Sequence, residues 1–176
     1  MHTFEQVLTT NTAKLAVKSL TNSEIQIHGL KDERLSSASL HEDGRKSLLL
    51  YPSPFATELS PEFVEQLDAP VTLIVPDANW RQTHKFVRRE PALAGIPHVK
   101  VPAGSPSEYF LRVQRNEAGL CTLEAIARAI GALESPAAQA QLEHLLRVMV
   151  ERTLWSRGKI RAHECVVAGI PRDAYT

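Results

Sequence analysis

Residues 71–90 read VTLIVPDANWRQTHKFVRRE, and this stretch decides the fold. Val71, Leu73, Ile74 and Val75 form an apolar, β-branched run of strand length, the kind that suits a strand covered on both faces. Pro76 ends the ladder because it has no N–H to donate. Asp77 then stands at the carboxyl end of that strand, the edge at which open α/β sheets bind ligands. Asn79 can cap a following helix, with Gln82 three residues on in the capping-box position. From Trp80 onward the residues fall at helical spacing. Arg81, Lys85, Arg88 and Arg89 lie at i, i+4, i+7 and i+8, a basic stripe on one helix. Such a stripe is usually solvated surface; beside a binding edge it can also track phosphates.

Outward from this unit the strand–helix alternation repeats. Before it, residues 47–51 form an apolar strand stopped by Pro52 and Pro54. Ser60-Pro61-Glu62 opens a short helix, a cap followed by proline at the first position. After it, residues 98–101 form another strand. This is the pattern of a parallel sheet with crossover helices. Further upstream, Thr9 to Thr12 are capping residues before a helix with Leu15, Ala16 and Leu20 on one face. Residues 23–30, SEIQIHGL, alternate like a half-exposed strand. Residues 31–46 are polar, a loop with a short helix. Downstream, residues 103–116 make a Gly/Ser/Pro loop. Residues 120–133 form an amphipathic helix capped by Thr122, with Leu123, Ile126, Ala127, Ile130 and Leu133 on one face. A second helix runs over about 137–156. The tail beyond residue 158 has no clear period. The expected architecture is one domain over residues 1–176: α/β, a mostly parallel sheet with flanking helices.

Composition narrows the function classes. The chain has 176 residues, 43% hydrophobic and 23% charged, with a formal net charge of zero. Such balance argues against a globally basic nucleic-acid binder, so any RNA contact must come from a local patch. Cys121 and Cys165 are too far apart for a metal-binding pair. With no disulfide framework, a reducing cytoplasm is the expected location. No apolar run approaches the roughly 20 residues of a membrane helix. The N-terminus lacks the basic and apolar regions of a signal peptide. Neither G-x-G-x-x-G nor G-x-x-x-x-G-K-(S/T) is present, nor H-E-x-x-H or G-x-S-x-G. The chemistry must therefore lie in loops at strand ends.

There, Asp77 is the leading candidate, although a carboxylate between strand and helix also serves as a cap or complements the helix dipole. Trp80 can stack on a base, but packing the helix on the sheet is the commoner role for such a residue. Arg112 can bind a carboxylate or phosphate. Glu124, in the first turn of its helix, suits the dipole or meets a ligand ammonium. Asn11 and Thr12 either cap a helix or touch a polar ligand. His84, His98, His144 and His163 have no ligand-like spacing and read as structural or surface; no metal is expected.

Four strings also resemble one family. Asp77-Ala78-Asn79-Trp80-Arg81-Gln82 resembles the D-x-T-W-R-Q signature of DTW-domain proteins. Leu120-Cys121-Thr122-Leu123-Glu124-Ala125 resembles their L-S-T-L-E-A. Leu49-Leu50-Tyr51-Pro52 resembles their L-Y-P strand end, and Thr10-Asn11-Thr12-Ala13-Lys14-Leu15 their T-N-T-x-(R/K)-L. The strings occur in the family's order over about residues 2–130. His2-Thr3-Phe4-Glu5 resembles the family's H-P-x-E, which normally follows a first strand, so an N-terminally short member is expected. Arg112 matches the family's Y-x-L-R. Two departures stand out: Asn79 replaces threonine and Cys121 replaces serine.

The resemblance implies a SPOUT-like and knotted fold, commonly dimeric. It implies transfer of the 3-amino-3-carboxypropyl group from S-adenosylmethionine to N3 of a tRNA uridine. Asp77 would act as base or orient the substrate. Tyr51, Pro52, Pro76, Asp77, Leu120, Cys121, Thr122 and Glu124 would hold the donor. Asn11, Thr12, Trp80, Arg81, Lys85, Arg88, Arg89 and Arg112 would meet tRNA. Three rival readings stay open: an RNA methyltransferase using the same donor in another pose, a catalytically impaired RNA- or partner-binding domain, and an enzyme acting on a small molecule.

Overall fold

The computed structural model describes residues 1–29, 35–111 and 119–167, all but the side chain of Ser39. Four parallel strands form its sheet: β1 (Lys46–Leu50), β2 (Thr57–Glu58), β3 (Val71–Ile74) and β4 (His98–Lys100), in the order β2-β4-β1-β3. β1 is central, paired with β3 (Leu49 beside Ile74) and with β4 (Leu49 beside His98). Among the described residues, six α-helices accompany them: α1 (Thr12–Ser19), α2 (Ser37–Leu40), α3 (Pro61–Glu65), α4 (Trp80–Arg89), α5 (Thr122–Leu133) and α6 (Pro136–Ser156).

The two-residue period of β1 sorts the core into two layers. Leu48 and Leu50 pack with Leu59, Val99 and Ala129, so α3 and α5 cover that face. Leu49 points the other way, to Leu40, Leu93 and Ile96, and Phe86 and Val87 of α4 close over it. Leu48, Leu49 and Leu50 are all buried, as a strand covered on both faces requires. A third cluster lies outside α5: Leu123, Ile126 and Ala127 pack against Ala16 of α1 and against Leu142, Leu146 and Val150, one row of α6 at i, i+4 and i+8.

Two expectations change, and β3 takes a ladder position that the sequence left open. β3 is an edge strand, and all four of its residues are half-buried. Its apolar side chains still face both layers, Leu73 one and Ile74 the other; composition reports face coverage, whereas ladder position depends on which strands return beside it. The 23–30 segment is not a strand: in its described part only His28 pairs, in a single bridge to His2. With no longer partner, its alternation has no ladder to join. The cap of α5 is Cys121 rather than Thr122, because Thr122 has other work.

Candidate active site at the carboxyl edge of the sheet

Asp77 leaves β3 just past Pro76 and is 6% exposed. One carboxylate oxygen accepts from Thr122 Oγ1 at 2.6 Å and the other from Asn11 Nδ2 at 2.8 Å. Its carbonyl accepts from the backbone N–H of His2 at 2.9 Å. One residue thus ties together the β3 exit, the N-terminus of α1, the N-terminus of α5 and the first residues of the chain. Neighbouring bonds lock the same junction. Asn11 caps α1 by accepting from Lys14 N. Thr12 Oγ1 accepts from Leu123 N, and Tyr109 Oη donates to Thr10 O. Asn11 and Thr12 are buried, at 7% and 5% exposed, so the RNA contact expected of them is replaced by internal bonding: a buried amide must satisfy its polar groups inside the fold.

Glu124 is likewise internal. Its carboxylate accepts from Ser107 Oγ and Glu108 N, both at 2.7 Å, and from Cys121 N at 2.8 Å. Those donors pin the loop after β4 to the start of α5. Burial, seconded by the Glu124 carboxylate, pushes the Cys121 thiol up to about 12, so it stays protonated and unreactive.

The rest of the edge is formed by the exits of β1 and β3. Continuing the Leu49–Ile74 register by two residues sets Tyr51 beside Pro76. Among the described residues, no backbone group of Pro52, Pro76 or Leu120 is hydrogen-bonded. The carbonyls of these residues and the N–H of Leu120 thus have no partner among the described residues. α4 flanks it, its capping box made as expected, with Gln82 N to Asn79 Oδ1 at 3.0 Å and Asn79 N to Gln82 Oε1 at 3.3 Å. Trp80 is 57% exposed, so it does not pack the helix on the sheet; Thr83, Phe86 and Val87 do that. Arg81, Lys85, Arg88 and Arg89 are exposed, and none makes an ion pair or hydrogen bond among the described residues. α4 has no acidic residue, so a chain of zero net charge carries a local positive face there. Phe55 and Phe110, 90% and 69% exposed, sit on the segments leaving β1 and β4. Arg112 lies outside the described residues.

Sequence reasoning missed the role of two histidines. His84 Nδ1 lies 3.1 Å from Tyr51 Oη. His98 meets the Tyr51 ring edge-on, with centroids 5.7 Å apart, and its Nδ1 is 2.8 Å from Ser53 Oγ. The available signal was the i, i+4, i+8 row of Trp80, His84 and Arg88, which metal-ligand spacing does not test.

A cleft of about 690 Å³ opens between α3, α5, α6 and the loop after β4. Of the residues assigned to ligands from sequence, only Glu124 lines it. Among the described residues, no group of His, Cys, Asp and Glu is placed to hold a metal ion, and no helix is long and apolar enough to cross a membrane.

A family model described as the DTW domain matches residues 1–154. The chain belongs to that family. Among curated relatives, this DTW domain is 38% identical over 93 residues to a Drosophila melanogaster protein named tRNA-uridine aminocarboxypropyltransferase 2, covering 53% of this chain and 36% of that one. It is 35% identical over 95 residues to a Macaca fascicularis protein of the same name, covering 51% of this chain and 31% of the relative. The chain thus spans about a third of the length of these relatives. No solved structure matches it.

Proposed function

We propose that this DTW domain transfers the 3-amino-3-carboxypropyl group of S-adenosylmethionine to N3 of a uridine in tRNA, as a SPOUT-like enzyme of the cytoplasm. The observation that carries the reading is the edge itself. Asp77 draws the family's strings at 10–12, 77–82 and 120–125 into one junction, and beside it the backbone of Pro52, Pro76 and Leu120 is left unbonded. The names of the relatives supply the reaction class.

The residues present fit such a donor. A nucleoside needs backbone donors and acceptors on a fixed frame, and the groups at 52, 76 and 120 offer both. Bound there, S-adenosylmethionine supplies an electrophilic carbon next to a sulfonium. The protein's part is pose, since the sulfonium has three carbons open to attack. A frame that fixes one of them in line with the acceptor gains up to about 7–11 kcal/mol in favourable systems. Asp77 serves by holding Asn11 and Thr122, and hence α1 and α5, in register with the β3 exit. Trp80 offers a stacking face, worth about 1–3 kcal/mol per base. Arg81, Lys85, Arg88 and Arg89 offer phosphate contacts.

The test is incubation of purified protein with S-adenosylmethionine and unmodified tRNA transcripts, followed by nucleoside mass analysis. A uridine heavier by one aminocarboxypropyl group supports the reading. A methylated uridine would move the protein to the methyltransferases. No modified nucleoside from any tRNA, with a folded protein, would refute transfer.

A further inference from the structure

We propose that His84 is the base that accepts the N3 proton in this transfer, with Tyr51 as the residue that positions its imidazole; the inference rests on the reading above. Uridine N3 carries a proton at neutral pH, and a positioned base speeds its removal. The buried carboxylates near the edge are poorly placed for that work. Asp77 has both oxygens engaged at 2.6 and 2.8 Å, and Glu124 already takes three donors. His84 is different: it is exposed, and its Nδ1 lies 3.1 Å from Tyr51 Oη at the β1 exit.

An exposed histidine on a basic helix needs no role. What sets His84 apart is that both its neighbours and its anchor are organised. Tyr51 leaves β1 beside Pro76, where the free backbone groups lie, and its ring is held edge-on by His98, itself 2.8 Å from Ser53 Oγ. Along α4, Trp80 and Arg88 are one turn to either side of His84, on the same helix row. That row presents a stacking face, a proton acceptor and a phosphate-binding cation in sequence. The titratable and charged groups around the imidazole are Tyr51 from the β1 exit, His98 behind it from β4, and Arg81 and Arg88 on α4 itself.

In the tautomer whose Nδ1–H donates to Tyr51 Oη, the Nε2 lone pair of His84 takes the N3 proton. The N3 electron pair forms the new C–N bond to the aminocarboxypropyl carbon. The C–S bond breaks and its electron pair stays on sulfur, which leaves as neutral 5′-methylthioadenosine. The resulting imidazolium is held by Tyr51 and returns its proton to water.

The experiment compares wild type, His84→Ala, His84→Gln and Tyr51→Phe on unmodified tRNA. His84→Ala is expected to lower kcat by about 10²–10⁴-fold while changing KM for tRNA by less than roughly threefold. Added imidazole should restore part of the His84→Ala rate, which a merely structural role would not produce. Tyr51→Phe should lower kcat about tenfold with the same KM. The acid limb of the kcat profile should vanish in His84→Gln. Independently of activity, ¹⁵N-imidazole spectra should show His84 Nε2 shifting when a uridine-containing stem-loop oligonucleotide is added. A His84→Ala rate within roughly threefold of an active wild type, or a His84 signal unmoved by the oligonucleotide, overturns the inference alone. An inactive wild type overturns the transfer reading and this inference with it.

Discussion

Replacing Asp77 by alanine removes the acceptor for two buried donors at once. Thr122 Oγ1 loses a 2.6 Å bond and Asn11 Nδ2 a 2.8 Å bond. Hydrogen bonds to charged groups are worth about 1.5–3 kcal/mol each, and a buried donor left unpaired carries its desolvation cost. Two such bonds give an upper figure near 6 kcal/mol. Asn11 keeps a weak contact to Glu5 Oε2 at 3.4 Å and its cap of α1, and the Thr122 hydroxyl can rotate. The expected loss is therefore about 3 kcal/mol, a large part of the 5–15 kcal/mol typical of a domain. Asp77→Asn should cost only about 1 kcal/mol, because its carbonyl still accepts from Asn11 while its amide donates to Thr122 Oγ1. The assay is urea unfolding followed by far-ultraviolet circular dichroism, with the midpoint shifting at unchanged slope. A double-mutant cycle with Thr122→Val isolates the shared bond and should show about 1–2 kcal/mol of coupling. Asp77→Ala within about 0.5 kcal/mol of wild type, or strict additivity with Thr122→Val, would refute the junction.

Other consequences can be measured on the same protein. His28 is buried, stacked on Phe86 with centroids 3.8 Å apart, and its Nε2 has no partner among the described residues. Burial, aided by the Met1 ammonium and His2 and opposed by Asp77, lowers its pKa to about 4. The unfolded chain then binds a proton that the folded one refuses between about pH 6.5 and 4, so stability falls as pH drops through that window, by at most about 3 kcal/mol. His28→Phe should flatten that part of the urea-midpoint profile, and an unchanged slope would count against the assignment. Glu124→Gln turns an amide toward backbone and hydroxyl donors and should cost about 1–3 kcal/mol, read by the same unfolding assay. Neutralising Arg81, Lys85, Arg88 and Arg89 should leave stability within about 0.5 kcal/mol. It should weaken RNA binding and reduce the slope of log K against log salt by roughly 0.7–0.9 for each phosphate no longer neutralised; an unchanged slope would take RNA off α4.

The alternation of apolar runs with capped helices was enough to foresee a parallel sheet, because a strand buried on both faces and a helix opened by Asn79 and Gln82 are written in local composition. α4 and its capping box occur where the pattern of residues 79–89 puts them. The stripe of Arg81, Lys85, Arg88 and Arg89 was legible for the same reason: helical period alone decides which residues share a face. Asp77 stood out from its place at a strand end, without its partners being visible.

The tertiary structure decided what each polar side chain is for. Asn11 and Thr122 are 66 and 45 residues away from Asp77 in the chain, and no local pattern encodes a bond of that separation. The same holds for Glu124, drawn inward by Ser107 and Glu108, for Trp80, left outside because Phe86 and Val87 fill the space over Leu49 and Ile74, and for His84, given an anchor by Tyr51. β3 took an edge position, which its apolar composition does not specify. Sequence determined the elements and the faces they bury, since those depend on neighbours a few residues away. Only the fold determined which groups converge at the carboxyl edge, because convergence depends on long-range packing.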